Sequence, residues 1–148
     1  VQAGSLEYYR GEKMGKYRTP TSNSRFYIPK QDYLTAIHWC LRYPLWKAEL
    51  ELEPDSGKAI EYDKDHVQTS NNFDPVSTLA IRRAEIARKM ELLETTIKSV
   101  DESIYQYLLL GVGYGFTMTQ LTEKEMPCSH NYYYRKRQQV LYEIAKRI

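Results

Sequence analysis

Cysteine is scarce. Cys40 and Cys128 are the only two in 148 residues, far apart and without the CxxC spacing of zinc or redox sites. They read as reduced thiols acting as small apolar or turn residues. Long apolar runs are missing too. No stretch approaches the roughly 18 residues of a membrane-spanning helix, and no basic-then-apolar signal sequence opens the chain. The expectation is a cytoplasmic protein with no membrane partner. Histidine is limited to His38, His66 and His130, and none belongs to a HExxH pair or a Cys/His cluster. His38, beside Trp39, reads as a partly buried, hydrogen-bonded helix residue, and His66 as part of a polar loop. Gly111-Val-Gly-Tyr-Gly115 imitates a phosphate loop. It has no strand before it and no Gly-Lys-Ser/Thr after it, so both phosphate-binding fingerprints fail. The acids between Glu49 and Asp65 have no pair fixed at a separation suited to metals. No enzyme, no metal and no cofactor is expected.

What is present suits one compact domain or two small ones. Apolar residues make up 42% of the chain, enough for a core, and charged residues 27%, ordinary for a globular protein. The net charge of +2 hides an uneven distribution. From Pro127 onward Arg135, Lys136, Arg137, Lys146 and Arg147 face Glu143 alone, whereas Glu49, Glu51, Glu53, Asp55, Glu61, Asp63 and Asp65 face Lys58 and Lys64. Attraction to phosphate depends on nearby charge rather than on the total, so the C-terminal end is where a nucleic-acid partner would be sought.

The segment 1–26 is polar and aperiodic and reads as a flexible arm with a cationic excess able to touch DNA backbone. The chain opens on Val1 rather than Met, so part of the arm reads as a tag or leader, with Met14 as an internal start, and residues up to Lys13 carry no functional weight. A helical domain is expected over 27–100. Pro29 suits the first position of a helix, and Tyr33, Leu34, Ile37, Cys40 and Leu41 recur at helical spacing. Pro44 should interrupt it, with a second short helix from Leu45 to about Leu52 carrying Trp46 and Leu50 inward. Pro54–Gly57 is turn-rich, and Ile60–Asn72 reads as a loop. Asp74-Pro75 marks a strong helix start. The long helix, 75–100, carries a seam through Leu79, Ile86, Met90, Leu93, Ile97, Val100 and Ile104, with a polar slot at Arg82 and Arg83. Such a seam is either buried inside the chain or pairs two copies into a homodimer. No β-pattern of useful length occurs. The fold reads as all-α, a helical bundle with a long central helix.

The segment 101–148 reads as a helix-turn-helix. Asp101 restarts a helix that continues through Tyr107, Leu108 and Val112, and Gly111, Gly113 and Gly115 end it. Thr117 or Thr119 can cap a short helix reaching Met126, which Pro127 stops. Ser129 can cap the next. Two helices joined by a turn of about three residues match the motif. In the last helix Tyr133, Val140 and Ile144, with Leu141 and Ile148 alongside, make a buried face, and His130, Asn131, Arg135, Lys136 and Gln139 lie mainly away from it. Arg and Lys pair with guanine acceptors, and Asn and Gln with adenine, and the first half of a recognition helix is the part that reaches base edges. Ser129 and nearby N–H groups could also hold a phosphate.

Several stretches are similar to small phage-encoded transcriptional regulators of the RinA/ArpU type: Trp46-Lys-Ala-Glu-Leu50, Asp65-His-Val-Gln-Thr-Ser70, Asp74-Pro75, Ala80-Ile-Arg-Arg83 and Pro127-Cys-Ser-His-Asn-Tyr-Tyr-Tyr-Arg135. The resemblance runs from about Tyr27 to the end. It implies a C-terminal helix-turn-helix like that of sigma factors, control of late genes in a bacterial host, and double-stranded DNA and RNA polymerase as partners. It carries the DNA-binding role to Ser129, Asn131, Arg135, Lys136 and Arg137, and a catalytic role to no position. Where those proteins have an aromatic-rich stretch, this chain has Gln138-Gln-Val-Leu-Tyr142. The alternative from another class is a helical oligomeric adaptor, such as a phage packaging or assembly component, built on the Leu79–Ile104 seam.

Overall fold

Asp74 opens the longest element. Its side chain accepts from the Val76 backbone N–H at 3.2 Å, and Pro75 takes up the first turn, where its missing N–H is no loss. The computed structural model describes residues 20–52 and 74–148. These form helices α1 (Lys30–Cys40), α2 (Tyr43–Glu51), α3 (Pro75–Asp101), α4 (Tyr105–Val112), α5 (Met118–Glu123) and α6 (His130–Arg147), with a 3-10 turn at Glu102–Ile104. No strand occurs among the described residues, so the fold is all-α with a long central helix. No helix among them is long and apolar enough to cross a membrane.

Asp101 breaks the long helix where the sequence places a restart. Its backbone is extended (φ −164, ψ 100), and its carboxylate accepts from the Ser103 N–H at 3.0 Å. The chain therefore turns into α4 there instead of continuing as one rod.

The seam of α3 is buried by this chain's own helices. Ile86, Leu93, Ile97 and Ile104 are buried and Leu79, Met90 and Val100 half-buried, with α2, α4 and α6 packed against α3 and α1 against α6. The polar slot has a purpose of its own. Arg83 donates to the last carbonyls of α2, to Leu50 O at 2.8 Å and Glu49 O at 3.3 Å, while Arg82 pairs with the Glu49 carboxylate. Glu49 O also accepts from the Leu52 N–H at 3.3 Å, so Arg83 adds a side-chain donor to the carbonyls at the end of α2, and two cations at a helix C-terminus also suit its dipole. One cluster of buried side chains runs from Ile28 to Ile144 and takes members from both sides of residue 100. Burying an apolar side chain the size of Leu141 or Ile144 contributes roughly 1.5–3 kcal/mol over leaving it in water.

Several boundaries differ from the sequence reading. Pro29 precedes α1 as its cap. Pro44 sits in the first turn of α2, not before it, so α2 begins at Tyr43. Both prolines are tolerated because a helix start has no use for their N–H. α5 ends at Glu123, before Met126, and Glu125 adopts a left-handed φ of 61. The chain therefore leaves the helix ahead of Pro127. The connection from α5 to α6 spans 124–129, longer than the expected three-residue turn. Gly111 lies inside α4 rather than ending it, and Gly115, at φ 73, makes the actual turn. His38 is exposed rather than half-buried. Of the expected arm over 1–26, residues 1–19 lie outside the described residues. Residues 20–26 make turns, with the Tyr27 N–H donating to Ser24 O at 3.2 Å. The turn expected at Pro54–Gly57, the loop Ile60–Asn72 and His66 also lie outside them.

Candidate nucleic-acid interface

α6 is held from behind and open in front. Tyr133, Val140, Leu141 and Ile144 are buried, the last three with no exposed surface. Their spacing of seven, one and three residues puts them on one stripe. Behind them α4 approaches closely. A Cβ added at Gly111 would lie 1.7 Å from the Tyr133 hydroxyl, so any larger residue there would force the Tyr133 ring to move. α5 supports the same end through Leu121, which is fully buried. Its start is fixed by a capping box in which Thr117 Oγ1 accepts from the Gln120 N–H at 3.2 Å and Gln120 Oε1 accepts from the Thr117 N–H at 2.8 Å.

Ser129 caps α6 as its position predicts, accepting from the Tyr132 N–H at 3.2 Å. Ser129, His130, Asn131 and Arg135 are exposed, and Lys136 and Gln139 half-buried. Asn131 and Arg135, four residues apart, lie opposite the buried stripe, one turn above the other. His130 Nε2 lies 3.5 Å from Thr122 Oγ1, which bridges the start of α6 to α5. Arg137 stands apart from the rest. It follows Tyr133 by four residues and precedes Val140 by three, which places it on the packed side. Its guanidinium donates to the Tyr33 hydroxyl of α1 at 3.3 Å and is half-buried. The resemblance groups it with the DNA-binding set, whereas the helical register, readable from the sequence, separates it.

Tyr132 belongs to the run Tyr132–Tyr134, whose three side chains point in different directions on a helix, and it lies outside the expected contact set, yet it organises this end of α6. Its ring lies 5.7 Å from the Arg135 guanidinium and 5.3 Å from Lys136 Nζ, distances at which the ring face attracts a cation. Its hydroxyl donates to Asp101 Oδ2, tying the start of α6 to the break between α3 and α4. Hydrogen bonds from Ser103 and then Tyr132 hold the Asp101 carboxyl below its ordinary value, helped by nearby Lys136, and the same contact pushes the Tyr132 hydroxyl up. No sequence signal joins positions 101 and 132. Their meeting is tertiary.

The charge here is mixed but cationic on the helix itself. Asp101 offsets part of Lys136, and Glu123, Lys124 and Glu125 lie exposed on or beside the connection to α5. No group of three or more His, Cys, Asp or Glu side chains able to hold a metal occurs among the described residues. Cys40 is buried in the core, which pushes its thiol up to about 12, and it has no disulfide partner. A separate groove of about 590 Å³ opens between α1, α3 and the last turn of α6, floored by Trp39, Leu92 and Ile148. It lies on the packed side of α6, away from Asn131 and Arg135. The chain matches no family model, no curated protein and no solved structure.

Proposed function

We propose that this protein is a sequence-specific DNA-binding transcriptional regulator of a phage or prophage, of the late-gene control type, working inside the bacterial host cell. The observation that carries the proposal is the outward side of α6 in its first half. Asn131 and Arg135 stand there exposed with Lys136 alongside, on a helix whose opposite side is locked into the core. Side chains of these types make bidentate contacts with adenine and guanine in a major groove about 12 Å wide, which admits a helix. Ser129, His130 and Gln139 complete the contact set, and Arg137 stabilises the mount from behind. The reading also rests on the resemblance to RinA/ArpU-type regulators and needs no catalytic step or cofactor. RNA polymerase is a further partner in this proposal, touched while DNA is held.

The rival reading, a helical oligomeric adaptor built on the Leu79–Ile104 seam, needs that seam to be free. Ile86, Leu93 and Ile97 are already buried within the chain, which favours the DNA-binding reading.

Selection of bound sequences from a random duplex pool, without polymerase, tests the proposal. An enriched motif is expected, and Arg135→Ala should weaken binding to it by about 1–3 kcal/mol and relax preference at one base position. A pool that yields no motif would overturn the proposal, as would a double Arg135→Ala, Lys136→Ala variant that binds the selected duplex as tightly as the parent.

A further inference from the structure

The second half of α6 carries a different construction. Tyr142 and Lys146 continue the outward strip of Asn131 and Arg135, in steps of four, seven and four residues. The segment ahead of α1 crosses the strip at Tyr142. Ser24 Oγ accepts from the Phe26 N–H at 3.1 Å, a local turn that sends Phe26 inward and leaves Arg25 exposed. The Phe26 ring meets Tyr142 edge-on, with centroids 5.6 Å apart and planes at 62°. Each ring carries a cation: the Arg25 guanidinium lies 5.3 Å from the Phe26 centroid and Lys146 Nζ 4.7 Å from that of Tyr142. Glu143 is the acid in contact with this end. It sits 2.7 Å from Arg147 Nη1 and 3.6 Å from Lys146 Nζ, so it is shared between two cations and leaves the cluster positive.

We propose that Arg25 and Lys146, mounted on the Phe26–Tyr142 ring pair, grip backbone phosphate of the same duplex beside the groove that the first half of α6 enters. The inference rests on the DNA-binding reading above and assigns a contact that reads no sequence. From Arg135 to Tyr142 is about 10 Å along the helix at ~1.5 Å per residue, more than half of the ~12 Å groove width, so a helix that enters the groove at Arg135 and crosses it obliquely carries its Tyr142 end out to the edge. With Arg135 at the base edges, the Tyr142 end lies at the rim of the groove, where the sugar-phosphate backbone runs. Arginine suits that position because its planar fork binds phosphate through two N–H groups, and stacking on Phe26 restricts it beforehand. The ring pair also covers the strip at Tyr142, so base reading is confined to the turns before it.

The test measures duplex affinity from about 50 to 200 mM salt for the parent, Arg25→Gln, Lys146→Gln and Arg25→Lys, with the selected duplex and a scrambled one. Each Gln variant should lower the log–log salt slope by about 0.9 and weaken both duplexes alike, about five-fold near 0.15 M salt. Arg25→Lys should keep the slope, which a purely structural role for the stacked guanidinium would not require. The ratio of selected to scrambled affinity should stay constant, whereas Arg135→Ala lowers it. If the parent binds and Arg135→Ala lowers the ratio while both Gln variants keep the parent slope, the phosphate grip is wrong and the DNA-binding reading stands. A parent that binds no duplex removes both.

Discussion

The two halves of α6 hold cations of the same kinds in different company. In the first half Arg135 and Lys136 lean on the Tyr132 ring, and the nearest acid, Asp101, belongs to another element and is engaged by Tyr132 and Ser103. In the second half Lys146 and Arg147 share Glu143 on the same helix, and Phe26 lies across the strip between the two ends. Lys146 also lies over the Tyr142 ring, so it is held by ring and carboxylate together, whereas Arg135 and Lys136 have no acid on their own helix within a turn. The difference gives the first half the means to read bases and the second half the means to steady the molecule on the backbone.

Both halves depend on a common spine, so the largest effect comes from breaking it. Ile144→Ala removes a side chain with no exposed surface and should cost about 2–5 kcal/mol in urea unfolding, the range for deleting buried aliphatic groups. A loss well under 1 kcal/mol would mean that α6 is not anchored as described. A finer cut addresses the first half alone. Gly111→Ala places a methyl against the Tyr133 hydroxyl and should cost about 1–3 kcal/mol, the usual penalty of overpacking. Adding Tyr133→Phe removes the atom in conflict, so the double variant should lose less than the sum of the two single ones. Strict additivity would contradict the close approach of α4 and α6.

Smaller still is the effect of the cap on α5, the prop beneath the first half. Thr117→Ala deletes half of a capping box and should cost about 1 kcal/mol, read from the thermal midpoint, with Leu121 less protected from hydrogen exchange. The smallest effect is one of pH. The Asp101 carboxyl is held below its ordinary 3.8 in the folded protein, so its contribution is present above that value and is lost as the pH falls through the lower, folded one. Glu49 and Glu143 are lowered as well, by Arg82 and Arg147, so wild-type stability alone does not isolate it. The stability difference between wild type and Asp101→Asn should shrink as the pH drops below about 3.8. A difference that stays constant to lower pH would show that the ionised Asp101 carboxylate gains nothing from the hydrogen bonds that Ser103 and Tyr132 donate to it.

Much of this arrangement is legible in the sequence wherever one local rule acts alone. Asp74-Pro75, Thr117 and Ser129 mark helix starts because a short oxygen-bearing side chain is the direct way to satisfy the first N–H groups. The buried stripe of α6 and the seam from Ile86 to Ile104 follow from helical spacing. The same spacing places Arg137 on the packed side, a conclusion the family resemblance obscured by grouping it with Arg135 and Lys136. Other features carry no local mark. Pro44 permits two outcomes, a break or a first turn, and packing of Tyr43 and Trp46 into the core selects the second. Glu125 in a left-handed conformation has no side-chain signature, because such positions are ordinarily announced by glycine or asparagine. The Tyr132–Asp101 and Phe26–Tyr142 contacts join residues distant in the chain, so only the folded molecule reveals them.

Amide chemical shifts of the isotope-labelled protein, titrated with the duplex recovered by selection, test the central claim most directly. The account predicts that the largest shifts fall on Ser129, His130, Asn131, Arg135 and Lys136, with smaller ones at Arg25 and Lys146. Shifts concentrated on Trp39, Leu92 and the groove between α1 and α3, with the start of α6 unmoved, would contradict it.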